Sequence, residues 1–359
     1  MFTKIDRAAR VTLVLLMALM PVVSSDAQAI HPTAANLPEG QSGYGVVSAT
    51  TQVESAVRDM ASRIAAARVA QVLGASLEGG ESELLAPSAV AIDADGRTLV
   101  LDELGAMHVY SQDGAYLGGV ELPRIGWSPH PNLLVLASGR LLVIRGNGVL
   151  ELADATGGYA VLNEHTLPEA ANASCILGGA LVMQVGGEGE PVRVRDTPLD
   201  DRSSAIGRSY DSPTPDVRRQ MGNGTVACDP DGQTIYAAFT LLPWVVAMDR
   251  GGEEFWRSAI ADFRPFVVEE RYKSGNLVLT SRAPEGGADH LAGLFVLKAG
   301  LLLAQVARQT GYLVQYDSYI VDTVTGDGVY AGHTLPLITT AFDGRLASIS
   351  PGAVKLLEY

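Results

Sequence analysis

Glycine-containing turns recur along most of the chain at intervals of about forty to fifty residues. Glycine adopts a positive φ angle at little cost, so such turns reverse the chain between β-strands. The segments between the turns, such as TLVLD at 98–102, are short and apolar. A second turn follows each first turn by sixteen to twenty-five residues in most units. The first turns contain Gly96, Gly139, Gly179, Gly232, Gly275 and Gly328. The spacing predicts similar units of about forty residues, each with four short strands.

A four-stranded unit of this size cannot bury both of its own faces, but repetition around an axis can bury them. We therefore predict an all-β fold, a β-propeller of about six blades with four short antiparallel strands per blade. Seven blades is the second choice. A helical solenoid is excluded because no unit contains a segment of helical periodicity, and a β-sandwich needs neither this length nor this regular spacing.

The two ends of the predicted propeller resemble parts of one blade. The C-terminal run FDGRLASISPGAVKLLEY is similar to the first unit, as if a last blade began near residue 339. The segment RVAQVLG at 68–74 has the character of an outer strand without a blade. We expect strands from both chain ends to share one blade and close the ring, which removes exposed sheet edges.

The first 29 residues have the pattern of a Sec-type signal peptide. Basic residues precede an apolar run at 11–20, and Ala27-Gln28-Ala29 provides the small residues that a signal peptidase accepts. The apolar run is too short to span a bilayer, which takes about 20 residues. We expect a periplasmic or secreted protein with no transmembrane segment after signal cleavage.

Residues 30–67 are expected to form a flexible arm and a short amphipathic helix ahead of a propeller at 68–359. Residues 30–52 are rich in Pro, Gly, Ser and Thr and lack periodicity. In contrast, Val53, Val57, Met60 and Ile64 recur at helical spacing. This helix is expected to cap one face or edge of the domain, and one hypothesis gives it a docking role in an envelope assembly.

The chain carries a net charge of −14, which disfavours nucleic acid as a partner because like charges repel. The partner is expected to be a protein or a small molecule of unknown identity. Cys175 and Cys228 lie shortly before turns of neighbouring units, and an oxidising compartment would permit a disulfide between them. Two small buried thiols are the alternative.

The first unit resembles the six-bladed propeller repeat of the NHL type. The resemblance covers about forty residues, recurs partly at 225–260, and implies a six-bladed ring. The matching positions are Pro87, Val90 to Ile92, Asp93, Gly96, Leu99 to Asp102, Val109 to Tyr110, and Asp113-Gly114. Propellers of this type include protein-binding and ligand-binding modules as well as lactonase-like and lyase enzymes, so the resemblance does not choose a function.

The axial funnel is the expected site of function, lined by the innermost strand of each blade. Glu269, Arg271 and Asp322 are the candidate funnel-lining residues, because each precedes a turn that we assign as the first of its unit. Carboxylates from several strands could hold Ca²⁺ or another divalent cation, and an ion pair between blades is the alternative interpretation. No His pair has zinc-site spacing, and no catalytic residue is assigned.

Two functions remain open at this point. One is an exported propeller that binds an unknown ligand. The alternative is a metal-dependent, lactonase-like hydrolase or lyase with its site in the funnel.

Overall fold

A computed structural model describes the chain at residues 28–30, 43–47, 53–74, 84–126, 128, 131–155, 158–187, 189–196, 200, 202–230, 232–273, 276–297, 300–342 and 344–359. Ahead of the first blade come β1 (Gln28–Ile30), β2 (Gly43–Val47), α1 (Ser55–Ala65) and β3 (Arg68–Leu73). Of the predicted signal peptide, residues 1–27 lie outside the described residues.

Six four-stranded antiparallel blades follow one another along the chain. Four of them are separate sheets, and blades 4 and 5 are joined through β2 into one nine-stranded sheet. Blade 1 contains β4 (Pro87–Ile92), β5 (Thr98–Asp102), β6 (Ala106–Tyr110) and β7 (Tyr116–Glu121). Blade 2 contains β8 (Asn132–Val135), β9 (Leu141–Arg145), β10 (Gly148–Ala155) and β11 (Gly158–Thr166). Blade 3 contains β12 (Ala173–Leu177), β13 (Ala180–Gln184), β14 (Val192–Arg195) and β15 (Ser204–Ile206), and α2 (Pro215–Met221) follows it.

Blade 4 contains β16 (Gly224–Cys228), β17 (Ile235–Phe239), β18 (Trp244–Met248) and β19 (Glu254–Ile260). A separate hairpin follows, formed by β20 (Val267–Lys273) and β21 (Asn276–Arg282). Blade 5 contains β22 (Ala288–Leu297), β23 (Leu301–Thr310), β24 (Leu313–Asp322) and β25 (Gly328–Gly332). Blade 6 contains β26 (Thr340–Phe342), β27 (Arg345–Ser350) and β28 (Ala353–Glu358), with β3 as its fourth strand. The chain is therefore an all-β, six-bladed propeller.

The core is a ring of apolar clusters, each lying between two neighbouring blades. The strands β5, β13, β17 and β18 are buried at every position, because each blade has another blade against both of its faces. This explains why the strands read as continuous apolar runs rather than as an alternation of polar and apolar residues. In the described residues, such clusters join every pair of neighbouring blades around the ring.

Ring closure joins the two ends of the chain, as the sequence predicts. The strand β3 pairs antiparallel with β28, so that Leu73 lies opposite Val354 and Arg68 lies opposite Glu358. Leu73 is 2% exposed and packs in the cluster between blades 6 and 1. The pairing covers the outer edge of β28, which would otherwise expose a row of unpaired backbone groups.

The helix expected near residues 53–67 is α1, and it packs against blades 5 and 6. Val57, Met60, Ala61 and Ile64 are all buried, in one cluster with apolar residues of these two blades. The apolar face of α1 is therefore covered by its own domain, as expected for a helix that caps one edge of the propeller. In the described residues, no helix has the length and apolar character needed to span a membrane.

Part of the expected flexible arm forms β2. This strand runs parallel to β19 along the outer edge of blade 4, and its last residue, Val47, also pairs with Gly328 at the outer edge of blade 5. Residues 31–42 and 48–52 of the arm lie outside the described residues.

The meander of each blade gives the propeller two different faces. Turns between the first and second strands, and between the third and fourth strands, share one face, which we call the turn face. Connections between the second and third strands, and from each blade to the next, share the opposite face, which we call the crossover face. The helix α2 and the β20–β21 hairpin are inserted in connections from one blade to the next, so both belong to the crossover face.

The prediction of which turn comes first and which comes second is wrong in blade 5. The strands on either side of the predicted turn at 273–275 are β20 and β21, which form a hairpin that pairs with β1 rather than with a blade. Gly300 lies in the first turn of blade 5, and Gly326 lies in the second. The hairpin misled the prediction because its two strands, with a glycine between them in the sequence, have the length and composition of half a blade.

Ring closure can be tested with a pair of neighbouring substitutions in β3. Replacement of Leu73 by Ala leaves a cavity in the cluster between blades 6 and 1, so the free energy of unfolding should fall by about 2–4 kcal/mol. Val72 is 46% exposed, and Val72→Ala should change it by no more than about 0.5 kcal/mol. Urea denaturation measures both, and equal effects would contradict the packing of β3 in blade 6.

Candidate functional site

The axis is surrounded by the first strand of each blade, and a disulfide joins two of these strands. Cys175 on β12 and Cys228 on β16 are bonded to each other, with their Cα atoms 5.7 Å apart. Both half-buried cysteines pack against the cluster between blades 3 and 4. The bond ties these two blades together beside the axis.

The structure places Glu269 and Arg271 together, but outside the blades. Both lie on β20, where Glu269 accepts hydrogen bonds from Arg271 Nη2 at 2.7 Å and from Arg282 Nε at 2.8 Å. These two arginines, Arg282 first, hold the pKa of the Glu269 carboxyl below its ordinary value. The pair is therefore part of an ion-pair cluster on the added hairpin. The expectation that these residues sit on an innermost strand is corrected.

Asp322 lies at the end of β24, the third strand of blade 5, and therefore on the turn face. Its Oδ1 atom accepts backbone N–H groups from Val324 at 2.7 Å and Thr325 at 3.0 Å. The carboxylate thus stabilises the turn between β24 and β25, and it does not lie on an innermost strand either. The three predicted funnel residues do not converge. In the part of the chain that the structure describes, no three His, Cys, Asp or Glu side chains are grouped to hold a metal ion.

A buried ion network, which the sequence did not reveal, lies at the crossover face of blade 5. Asp289 at the start of β22 is fully buried and accepts hydrogen bonds from Arg264 Nη2 at 2.7 Å and Arg308 Nη1 at 2.7 Å. The backbone N–H of Arg264 also donates to Asp289 Oδ2 at 2.9 Å. The network therefore fixes the connection that leaves blade 4 to the strand that begins blade 5.

Arg308 is the centre of this network because its guanidinium contacts three carboxylates. Besides Asp289, it pairs with Asp317 on the neighbouring strand β24 and donates to Asp262 Oδ2 at 2.6 Å. It also donates to Tyr319 Oη at 2.7 Å. Burial works to lower the pKa of Arg308, but the hydrogen bonds and negative charges around it outweigh that effect and raise the pKa. The guanidinium is thus held permanently charged.

The network stands at the foot of a projecting hairpin formed by β23 and β24. These strands have ten residues each, and their pairing continues to Thr310 opposite Leu313, beyond the buried part of the blade. Tyr312 is 102% exposed, Leu313 is 77% exposed and Val314 is 47% exposed. We call residues 309–316, which carry no formal charge, the hairpin tip.

Sequence reasoning missed the hairpin tip although a signal was present. Residues 301–322 form one long run of strand-like composition with a glycine at its middle, longer than the corresponding run of the other units. Such a run predicts a hairpin that extends beyond its blade. The ion network gave no comparable signal, because its members are separated by up to 55 residues and come from a connection and three strands.

Comparison with known proteins gives fold-level similarity alone. No family model matches the chain, so the NHL resemblance is not confirmed, and no curated protein matches its sequence. Among solved structures, a Cps50 (Swd1) β-propeller domain from Myceliophteria thermophila has a TM-score of 0.43 at 11% identity, covering 82% of this chain and 99% of that domain.

Two further solved structures are similar to the same degree. A member of the DUF4221 family from Bacteroides vulgatus has a TM-score of 0.49 at 8% identity and covers 81% of this chain and 97% of its own. A Dos1 propeller has a TM-score of 0.44 at 12% identity, with 79% and 81% covered respectively. At these levels no function is transferred, and the assignment of blades rests on the strand pairing described above.

The ion network yields a prediction with an internal control. Asp289→Asn removes a fully buried charge and leaves Arg264 and Arg308 with a missing partner, so the free energy of unfolding should fall by about 3 kcal/mol or more. Asp262 contacts the same Arg308, but its side chain is 65% exposed, and Asp262→Asn should cost less than about 1 kcal/mol. Chemical denaturation measures the free energy of unfolding of both variants. A larger decrease for Asp262→Asn than for Asp289→Asn would contradict this arrangement.

Proposed function

We propose that this protein is an exported binding module that engages a partner protein through its crossover face, with the hairpin tip as the principal contact. The observation that carries the proposal is the exposure of Tyr312, Leu313 and Val314 on a hairpin that projects from a rigid ring. Scattered exposed apolar residues are ordinary on protein surfaces. Three consecutive ones at the end of a projecting hairpin are unusual and favour an interaction site.

The foot of the hairpin supports the same function. Arg308 and Asp317 lie on the two strands of the hairpin and pair with each other, and Arg308 is fixed further by Asp289 on a third strand. A contact that is held in one geometry before binding loses less conformational entropy when the complex forms. Tyrosine is also suited to such a contact, because it offers a large rigid surface with a polar end.

Charge indicates the character of the partner surface. The tip itself is uncharged, whereas Asp262 at its foot is exposed and the whole chain carries −14. An apolar pocket with a basic rim would complement both features, and the attraction of opposite charges would raise the association rate. The hydrolase or lyase alternative has less support, because Glu269 and Arg271 pair with each other on the added hairpin, away from Asp322 in the β24–β25 turn of blade 5.

Export is part of the proposal and is supported by two observations. The first is the signal-peptide pattern that ends at Ala29. The second is the bond between Cys175 and Cys228, since disulfides persist in oxidising compartments and are rare in the cytosol. Cleavage after Ala29 removes Gln28 and Ala29 from β1 and leaves all pairs between β20 and β21 intact.

Mass spectrometry of the exported product tests the compartment. The mature chain should begin at Ile30, and an alkylating reagent should label no cysteine until the denatured protein has been reduced. A product that retains Met1, or one in which Cys175 and Cys228 react without reduction, would contradict export with an intact disulfide.

Quantitative affinity enrichment tests the role of the hairpin tip. The mature protein is immobilised beside two double variants, Tyr312→Ser with Leu313→Ser, and Val161→Ser with Leu162→Ser. The second pair consists of consecutive exposed apolar residues on β11 and serves as the matched control. Proteins retained from envelope extract are quantified by mass spectrometry for each of the three.

We expect at least one protein to be retained by the unmodified chain and by the control, and to fall by about tenfold or more on the tip variant, since loss of a central contact costs about 2 kcal/mol. Identical retention by all three proteins would overturn the assignment of the tip. If a protein is enriched as expected, a cross-linker placed at Gln309 should attach to it in the unmodified chain and fail to do so in the tip variant, which would locate the contact.

A further inference from the structure

A recess lies on the turn face, away from the hairpin tip, at the seam where the ring closes. Its volume is about 290 Å³, and strands of blade 6 form one wall while the β6–β7 turn of blade 1 forms the other. The residues that line it are Ala70, Gln71, Gln112, Asp113, Arg345, Leu356 and Glu358. We call this recess the seam cleft.

Within the described residues, the polar side chains of the seam cleft make no hydrogen bond to one another, and the amides of Gln71 and Gln112 make none at all. Arg345 and Glu358 form a loose ion pair, in which Arg345 Nε lies 4.0 Å from Glu358 Oε1, beyond hydrogen-bond distance. The cleft therefore presents two amides, a guanidinium and a carboxylate whose hydrogen-bonding capacity is available to a ligand.

The wall formed by blade 1 is shaped around one of these amides. Gly114 has a φ of +85°, and a Cβ atom at this position would lie 2.0 Å from Gln71 Nε2. A side chain at this position would strain the turn and displace the flexible Gln71 amide. On the same turn, Ser111 Oγ donates to Asp113, which fixes the carboxylate of Asp113 at the mouth of the cleft.

The mixture of donors and acceptors identifies the chemical class of the ligand. A sugar ring carries several neighbouring hydroxyl groups, each of which both donates and accepts. Such a ring would donate to Asp113 and Glu358 and accept from Arg345 and the two amides. The volume is at the lower end of the range for small-molecule sites, so it suits one sugar unit.

We propose that the seam cleft binds a neutral saccharide unit. This site is independent of the hairpin tip, because the two lie on opposite faces of the ring. With about twelve non-hydrogen atoms and an exposed polar cleft, a single sugar should bind with a dissociation constant on the order of 1 mM. Proteins usually compensate for such weak binding of one sugar unit by contacting a longer chain at several points.

Saturation-transfer NMR on the mature protein tests the proposal. The probes are glucose, galactose, mannose and N-acetylglucosamine. The free amino acids glycine and alanine are tested as zwitterionic probes, because they could pair with Arg345 and Asp113 through their charges. The variant Gln112→Ala with Asp113→Asn removes two groups of one wall. Asp95→Asn is the control, because it removes an exposed carboxylate from another turn of blade 1 on the same face.

We expect at least one sugar to give a saturable transfer signal, with a dissociation constant that rises about tenfold in the double variant and is unchanged in Asp95→Asn. Circular dichroism and the urea midpoint of the double variant should match those of the unmodified protein, since both substituted residues are exposed in a turn. Absence of signal from all four sugars, binding of the amino acids alone, or sugar binding that survives the double variant would each overturn the proposal.

Discussion

The pairing of β3 with β28 is the interaction on which the rest of the fold depends. Each blade buries its apolar faces only against the blades beside it, so an open row would leave two faces and one strand edge exposed to water. The N-terminal strand joins the last blade and places Leu73 between blades 6 and 1, which completes the ring of apolar clusters. The fixed positions of the projecting hairpin and of the seam cleft follow from this closure.

The two faces of the ring are elaborated to different degrees, and this difference supports the proposal that the partner protein binds the crossover face. Tight turns form most of the turn face, whereas the crossover face carries α2, the β20–β21 hairpin and the extended hairpin of blade 5. Loops on a rigid scaffold can vary in sequence without loss of the core, and binding residues are common on them. The ion pairs of Arg308 attach the extended hairpin of blade 5 to the body of the propeller.

Much of the fold could be predicted from the sequence because propeller strands and turns are encoded locally. Glycine turns and apolar runs such as TLVLD reveal the blades, and the similarity of the chain ends reveals ring closure. The added hairpin could not be distinguished from half a blade, since β20 and β21 have strand composition and a turn between them. That single error moved Glu269, Arg271 and Asp322 onto innermost strands. The ion network escaped prediction because no local pattern links Asp289 to Arg264 and Arg308.

Hydrogen–deuterium exchange of the protein tests ring closure most directly. Peptides covering β3 at 68–73 and β28 at 353–358 are compared with peptides from the buried strand β17 under native conditions. If β3 closes the ring, its paired amides should be protected together with those of β28, and the two segments should open in the same event. Rapid exchange of β3 while β28 stays protected would show that the N-terminal strand is not part of blade 6, and would contradict the closed propeller.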